Sequence, residues 1–143
     1  MAVTSRSTTN WQGDLFTGKG EVSLDSSGAG RFAVDWKARS QGEESTTTPE
    51  ELLGAAHSAC FAMAFSNTLA DFGTPPESIQ VTAAVTFDAS QPGITGSHLS
   101  VEATVPGLDE HDFQRLAEEA KAGCPVSRAL VGIPITLEAR LNA

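Results

Sequence analysis

Apolar positions along this chain switch between a period of two and a helical spacing, and each switch predicts a change of element. Val22 and Leu24, then Phe32, Val34 and Trp36, alternate with polar residues on either side of a Ser26-Ser27-Gly28-Ala29-Gly30 turn. With Gly18-Lys19-Gly20 as an earlier turn, this predicts a short-strand meander with a hairpin. Ser40 to Thr48 reads as a polar loop, and Arg39 stands where the last strand enters it. From Thr48 to Gly73 the spacing becomes helical. Thr48 offers an N-cap hydroxyl, Pro49 takes the first helical position, where its missing N–H costs nothing, and Glu51 completes a capping box. Gly73 supplies the stop.

Within this helix Leu52, Leu53, Ala55, Ala56, Ala59, Phe61, Ala62, Met63, Ala64 and Phe65 occupy all sides, which predicts a central helix buried all round. Glu, His, Ser and Asn interrupt it too often for a membrane crossing, which needs about 20 predominantly apolar residues. The small residues Gly54, Ala55, Ala56, Ser58 and Ala59 leave room for a close neighbour, a second copy of the same helix included.

After Pro75-Pro76, Ile79, Val81, Ala83, Val85 and Phe87 alternate strictly with polar or small partners, as do Leu99, Val101, Ala103 and Val105 beyond the Ser90-Gln91-Pro92-Gly93 turn. The two runs predict an antiparallel pair. Asp109 caps a second helix whose apolar stripe is Phe113, Leu116, Ala117 and Ala120, and Gly123 ends it. Cys124-Pro125 starts a short helical turn, and Ile133 to Leu141 closes the chain as a strand. The order predicts one α+β domain, residues 1–143, with mainly antiparallel sheet.

Composition adds limits. Eighteen acidic against nine basic side chains give a formal charge of −9, which argues against nucleic acid or an anionic membrane as partner. The polar start, Met1 to Asn10, lacks the apolar segment of a secretory signal, so a cytoplasmic address is expected. In that compartment disulfides are chiefly transient, catalytic or redox-sensing, which makes Cys60 and Cys124 a chemical question first.

Cys60 sits inside its helix without a nearby cation, and a small core residue is as good a reading as a reactive thiol. Cys124 lies at a helix N-terminus, where the dipole favours thiolate. His57, three residues before Cys60, could serve as a base for the thiol, as half of a metal site, or as a structural residue bonded to nearby backbone or facing a partner chain. A zinc site can be assembled from His57, Cys60, Cys124 and either His98 or His111, but without paired ligand spacing. Glu50, in the first helical turn, could hold a guanidinium bidentately, from Arg31, Arg39 or Arg128. Phe61, Met63 and Phe65 offer a pocket wall.

The segment Thr48-Pro49-Glu50-Glu51-Leu52 through Ala55-Ala56-His57-Ser58-Ala59-Cys60-Phe61, with Lys121-Ala122-Gly123-Cys124-Pro125-Val126-Ser127, resembles the OsmC branch of the OsmC/Ohr family of thiol peroxidases. Asn10-Trp11-Gln12-Gly13-Asp14 and Gly18-Lys19-Gly20 are similar to that branch too, so the resemblance spans nearly the whole chain. It implies an intertwined homodimer with the cysteine helices central, and reduction of organic hydroperoxides and hydrogen peroxide without haem, flavin or metal. It implies Cys60 as the peroxidatic thiolate, Cys124 as the resolving thiol of an intramolecular disulfide, and Glu50 and Arg39 as active-site partners. The Ohr branch places its arginine earlier, where this chain has Lys19. A dithiol, of lipoyl type, is the implied reductant. The competing reading is a non-catalytic dimeric binding or structural protein whose cysteines are core packing.

Overall fold

The computed structural model describes residues 1–42, 45–91 and 93–142; parts of the expected Ser40 to Thr48 loop and of the turn at Pro92 lie outside them. The chain forms two compact units, Met1–Leu52 and Leu53–Ala143.

In the first unit, β1 (Thr8–Gln12), β2 (Lys19–Ser23) and β3 (Arg31–Val34) make an antiparallel meander. β1 arises from residues that read as a polar start, and it is exposed along its whole length. Gly18-Lys19-Gly20 is not a turn: Lys19 and Gly20 belong to β2, and the turn lies over Asp14 to Gly18, where the Asp14 carboxylate accepts from the Thr17 N–H at 2.8 Å. The expected turn around Gly28 forms, with that glycine at φ +67°.

Trp36 departs from the strand that alternation gave it and opens a six-residue helix, α1 (Trp36–Gln41). Asp35 is its N-cap, accepting from the Ala38 N–H at 2.8 Å, and Gly42 closes it at φ +73°. Arg39 therefore sits on α1, not at a strand end.

The long helix α2 (Pro49–Phe72) has its expected ends. Thr48 Oγ1 accepts from the Glu51 N–H at 3.0 Å, while the Glu51 carboxylate takes the Thr47 hydroxyl instead of closing the capping box on Thr48. Gly73 adopts φ +101°, and the Thr74 N–H reaches back to the Leu69 carbonyl at 2.9 Å.

In the second unit, β4 (Ser78–Asp88) pairs antiparallel with β5 (Gly93–Thr104), as the alternation predicts. β6 (Ile135–Leu141) pairs with β5 in parallel, from Ser97 opposite Ile135 to Ala103 opposite Leu141. The sheet is mixed because α3 (Glu110–Gly123) and α4 (Pro125–Ala129) carry the chain back before β6 begins. Asp109 caps α3 through the Asp112 N–H at 2.8 Å, and the Phe113, Leu116, Ala117 and Ala120 stripe is buried. That stripe meets Phe61, Phe65 and Leu69 of α2 and the inward residues of β5. Phe65 stands between Phe61 and Phe113, at centroid distances of 5.6 and 5.5 Å.

The expectation that α2 is covered all round does not hold in this chain. Gly54, His57, Phe61, Phe65 and Leu69 form its buried face, whereas Ala55, Ala56, Ala59 and Met63 are exposed, Met63 at 72%. Phe61 and Phe65 are core residues and not a pocket wall; Met63 borders an open hollow of about 610 Å³ with Ala62, Ser66 and Ile79. At Gly54 the helix comes so near β4 that a Cβ would lie 2.9 Å from the Ala83 carbonyl oxygen.

Candidate active site

Folding brings the two cysteines, 64 positions apart in sequence, to a sulfur–sulfur distance of 3.2 Å as free thiols. Cys60 comes from the middle of α2 and is half-buried. Cys124 is the residue before Pro125, at the start of α4, and is fully buried within the core. The α3-to-α4 break creates this meeting. Gly123 ends one helix, proline starts the next, and Cys124 is left with extended backbone (φ −63°, ψ 121°) between them.

The surroundings split the two thiols. Burial pushes Cys60 above the ordinary cysteine value, with the Val126 N–H opposing in part and the Cys124 sulfur adding to the rise. Burial also acts upward on Cys124. There the Ser127 N–H and hydroxyl, the Cys60 thiol and the Val126 N–H together outweigh it, and the thiol is held low.

His57, also on α2, is fully buried and bonds neither to backbone nor to an acid. Its Nδ1 lies 2.7 Å from Ser97 Oγ and its Nε2 2.7 Å from Ser127 Oγ. Burial lowers its pKa, so the ring is neutral at pH 7. With both ring nitrogens engaged by hydroxyls, the zinc set does not gather. His98 Nδ1 bonds Thr136 at 2.6 Å and His111 stands beside Asp112. Among the described residues, the group of side chains spaced to hold a metal is Asp109, His111 and Asp112, an exposed acidic cluster apart from either cysteine.

In the first unit, Glu50 finds its guanidinium in Arg39. Nε–H and Nη2–H of Arg39 donate to a single oxygen, Glu50 Oε1, at 3.0 and 2.8 Å. The expected two-oxygen fork is replaced by two donors converging on one acceptor. Glu50 is only 5% exposed, and a carboxylate so buried needs the cation beside it. The alternatives fall away: Arg31 lies exposed beside Glu21, and Arg128 is exposed on α4. Arg39 also borders an apolar hollow of about 310 Å³ walled by Trp11, Leu15, Val22, Val34 and Trp36.

Ser97 and Ser127 were not singled out by sequence. A signal for Ser97 existed: it shares the inward parity of Leu99, Val101 and Ala103, so a hydroxyl there had to face the core.

A family model described as OsmC-like protein matches residues 42–138. Peroxiredoxin OsmC of Escherichia coli (strain K12) is 41% identical over 145 residues, covering 100% of both chains. Organic hydroperoxide resistance protein of Xanthomonas axonopodis pv. citri (strain 306) is 32% identical over 97 residues, 64% of this chain and 65% of that one. Among solved structures, an organic hydroperoxide resistance protein from Elizabethkingia anophelis superposes with a TM-score of 0.70 at 26% identity, covering 99% of each chain.

Proposed function

Because the chain belongs to the OsmC-like protein family and matches a peroxiredoxin over its whole length, we propose that it is a cysteine peroxidase that reduces hydroperoxides through Cys60 and Cys124. The observation that carries the residue assignment is the 3.2 Å approach of the two sulfurs. Inert apolar packing would push both thiols the same way, yet Cys60 is raised and Cys124 lowered.

The Cys60 thiolate attacks the terminal peroxide oxygen. The O–O bond breaks, the alcohol leaves after taking a proton, and Cys60 becomes a sulfenic acid. Cys124 then attacks the Cys60 sulfur, the S–O bond breaks, water leaves, and the disulfide forms before oxidation can climb to sulfinic acid. A dithiol, of lipoyl type, returns both thiols.

Burial raises the Cys60 thiol, so this reading requires a cation at the nucleophile. We assign that role to Arg39, which Glu50 fixes within the first unit: beside Cys60 its guanidinium would favour the thiolate and polarise the peroxide bond. The uncovered face of Ala55, Ala56, Ala59 and Met63 supports a homodimer in which two such helices meet. No helix among the described residues is long and apolar enough to cross a membrane, and a cytoplasmic address suits thiols that must be reduced after every turnover.

The test is thiol chemistry with an alkyl hydroperoxide. Cys60→Ser is expected to abolish turnover, and Cys124→Ser to consume one equivalent and stop with oxidised Cys60. Steady turnover by the Cys60 variant would sink the proposal, as would wild-type thiols that survive stoichiometric peroxide.

A further inference from the structure

The peroxide chemistry leaves His57 without a task, although it is a fully buried imidazole on the cysteine helix. Two serines from different elements hold it: Nδ1 lies 2.7 Å from Ser97 Oγ on β5, Nε2 lies 2.7 Å from Ser127 Oγ on α4, and both serines are themselves buried. On α2, His57 and Cys60 are three residues apart and share a face. Ser127 follows Cys124 by the same three residues. The spacings match, so the two segments meet at two rungs, taken in opposite order along each: Cys60 with Cys124 at 3.2 Å, and His57 with Ser127 at 2.7 Å.

The short helix α4 has few holds besides these rungs. It is five residues long, Cys124 at its N-cap makes no side-chain cap bond, and of its residues only Ser127 is buried, with Val126 partly covered by the core. A helix of one turn and a half does not sustain itself, so outside contacts must keep it in place. A contact at Cys124 alone would leave the segment free to roll about the sulfurs. The second contact, one turn further on, stops that rotation, because two points fix a direction where one does not. His57 is a firm anchor for it: Ser97 holds the other ring nitrogen from β5, the middle strand of its sheet.

We propose that His57 is a positioning residue for the cysteine pair: through Ser127 it fixes the seat of α4, and so favours the Cys60–Cys124 disulfide over the dithiol. The disulfide, once closed, keeps α4 in place by itself. The dithiol depends on the rung. Removing the rung lets the reduced state relax into arrangements that closure must then take away, while the disulfide stays where it was, and the equilibrium moves towards the dithiol. The part this plays in turnover rests on the peroxidase reading, in which the disulfide closes every cycle. The equilibrium itself is read without peroxide.

Titration in dithiothreitol redox buffers tests this. Closure joins the two sulfurs, and two electrons and two protons pass to oxidised dithiothreitol, whose own S–S bond opens to the dithiol. The ratio of oxidised to reduced dithiothreitol at half-conversion should rise about tenfold in Ser127→Ala, or about 30 mV, the scale of one hydrogen bond. His57→Leu should match it, and the two changes together should add nothing, because both remove the same bond. His57→Gln, whose amide can still donate to Ser127, should recover part of the loss. Leu141→Ala removes core packing opposite Ala103, six residues along β5 from Ser97, and should leave the ratio unmoved. An unmoved ratio in Ser127→Ala overturns the proposal even if His57→Leu does not fold. An equal shift in Leu141→Ala, which would mark general loosening, also overturns it, as does a wild-type pair that stays reduced at every ratio. Should the wild type form the disulfide yet consume no hydroperoxide, the peroxidase reading fails and the titration still decides the role of His57.

Discussion

Gly54→Ala sets two forces against each other on the cysteine helix. In an exposed helix interior the change stabilises by about 0.8–1.0 kcal/mol, because glycine has more backbone freedom to lose. Here the added Cβ would lie 2.9 Å from the Ala83 carbonyl oxygen and 3.8 Å from Val85 Cγ2. The nearer atom is backbone of β4, at a residue paired with Leu99 of β5, so it cannot step aside as a side-chain tip would. Overpacking of this kind costs about 1–3 kcal/mol. Taking about 2 for the clash and about 1 for the propensity, the net expectation is a loss of roughly 1 kcal/mol. With a urea slope of about 2 kcal/mol per molar, the unfolding midpoint should drop by roughly 0.5 M, read by far-ultraviolet circular dichroism. The substitution should also loosen the 2.7 Å bonds of His57, one turn further along the helix. A midpoint that rises instead would refute the close approach of α2 to β4.

Glu50→Gln keeps an oxygen that can accept both Arg39 bonds but removes the charge that strengthens them. A roughly tenfold fall in kcat/KM with an alkyl hydroperoxide is expected from loss of orientation alone; unchanged kinetics would show that Glu50 does not hold the guanidinium for the reaction. For His57, burial lowers the folded-state pKa below the usual 6.5, so the unfolded chain takes up the proton first as pH falls. Its contribution to stability is complete above about pH 6.5 and is lost as pH drops through the lower folded-state value. Urea midpoints at pH 7.5 and 5.5 should therefore diverge more for the wild type than for His57→Gln, and equal slopes would count against a buried neutral ring.

Local signals carried much of the fold. Thr48, Pro49 and Gly73 bound α2 because caps act over three or four residues, and the inward parities of β4 and β5 are written in alternation. The misreadings share a cause. Trp36 extended an alternating run by one step, and a six-residue helix has too few turns to show a period; only the Asp35 and Gly42 caps betray α1. The parallel seating of β6 beside β5 is invisible to periodicity, which sets the face a strand presents and not its neighbour. The site divides in the same way. Residue chemistry nominated Cys60, Cys124, Glu50 and several arginines, and the family resemblance picked Arg39 among them, but the Arg39–Glu50 bond and the approach of the two sulfurs depended on packing that no local signal records. The helix expected to be covered on every side has an apolar face that one chain leaves open, because amphipathicity records what is apolar and not which surface covers it.

The 3.2 Å gap between two sulfurs of one chain also sets the reaction order of a peroxidase cycle built on them. Disulfide closure is unimolecular, and well-aligned intramolecular reactions behave as though the partner were present at effective molarities of about 10⁵–10⁸ M. Over-oxidation of the same sulfenic acid is bimolecular and grows with peroxide. The fraction of protein lost per turnover then depends on peroxide concentration and not on how much protein is present. Dilution leaves each molecule as well protected as before, and inactivation becomes a record of the dose it has met.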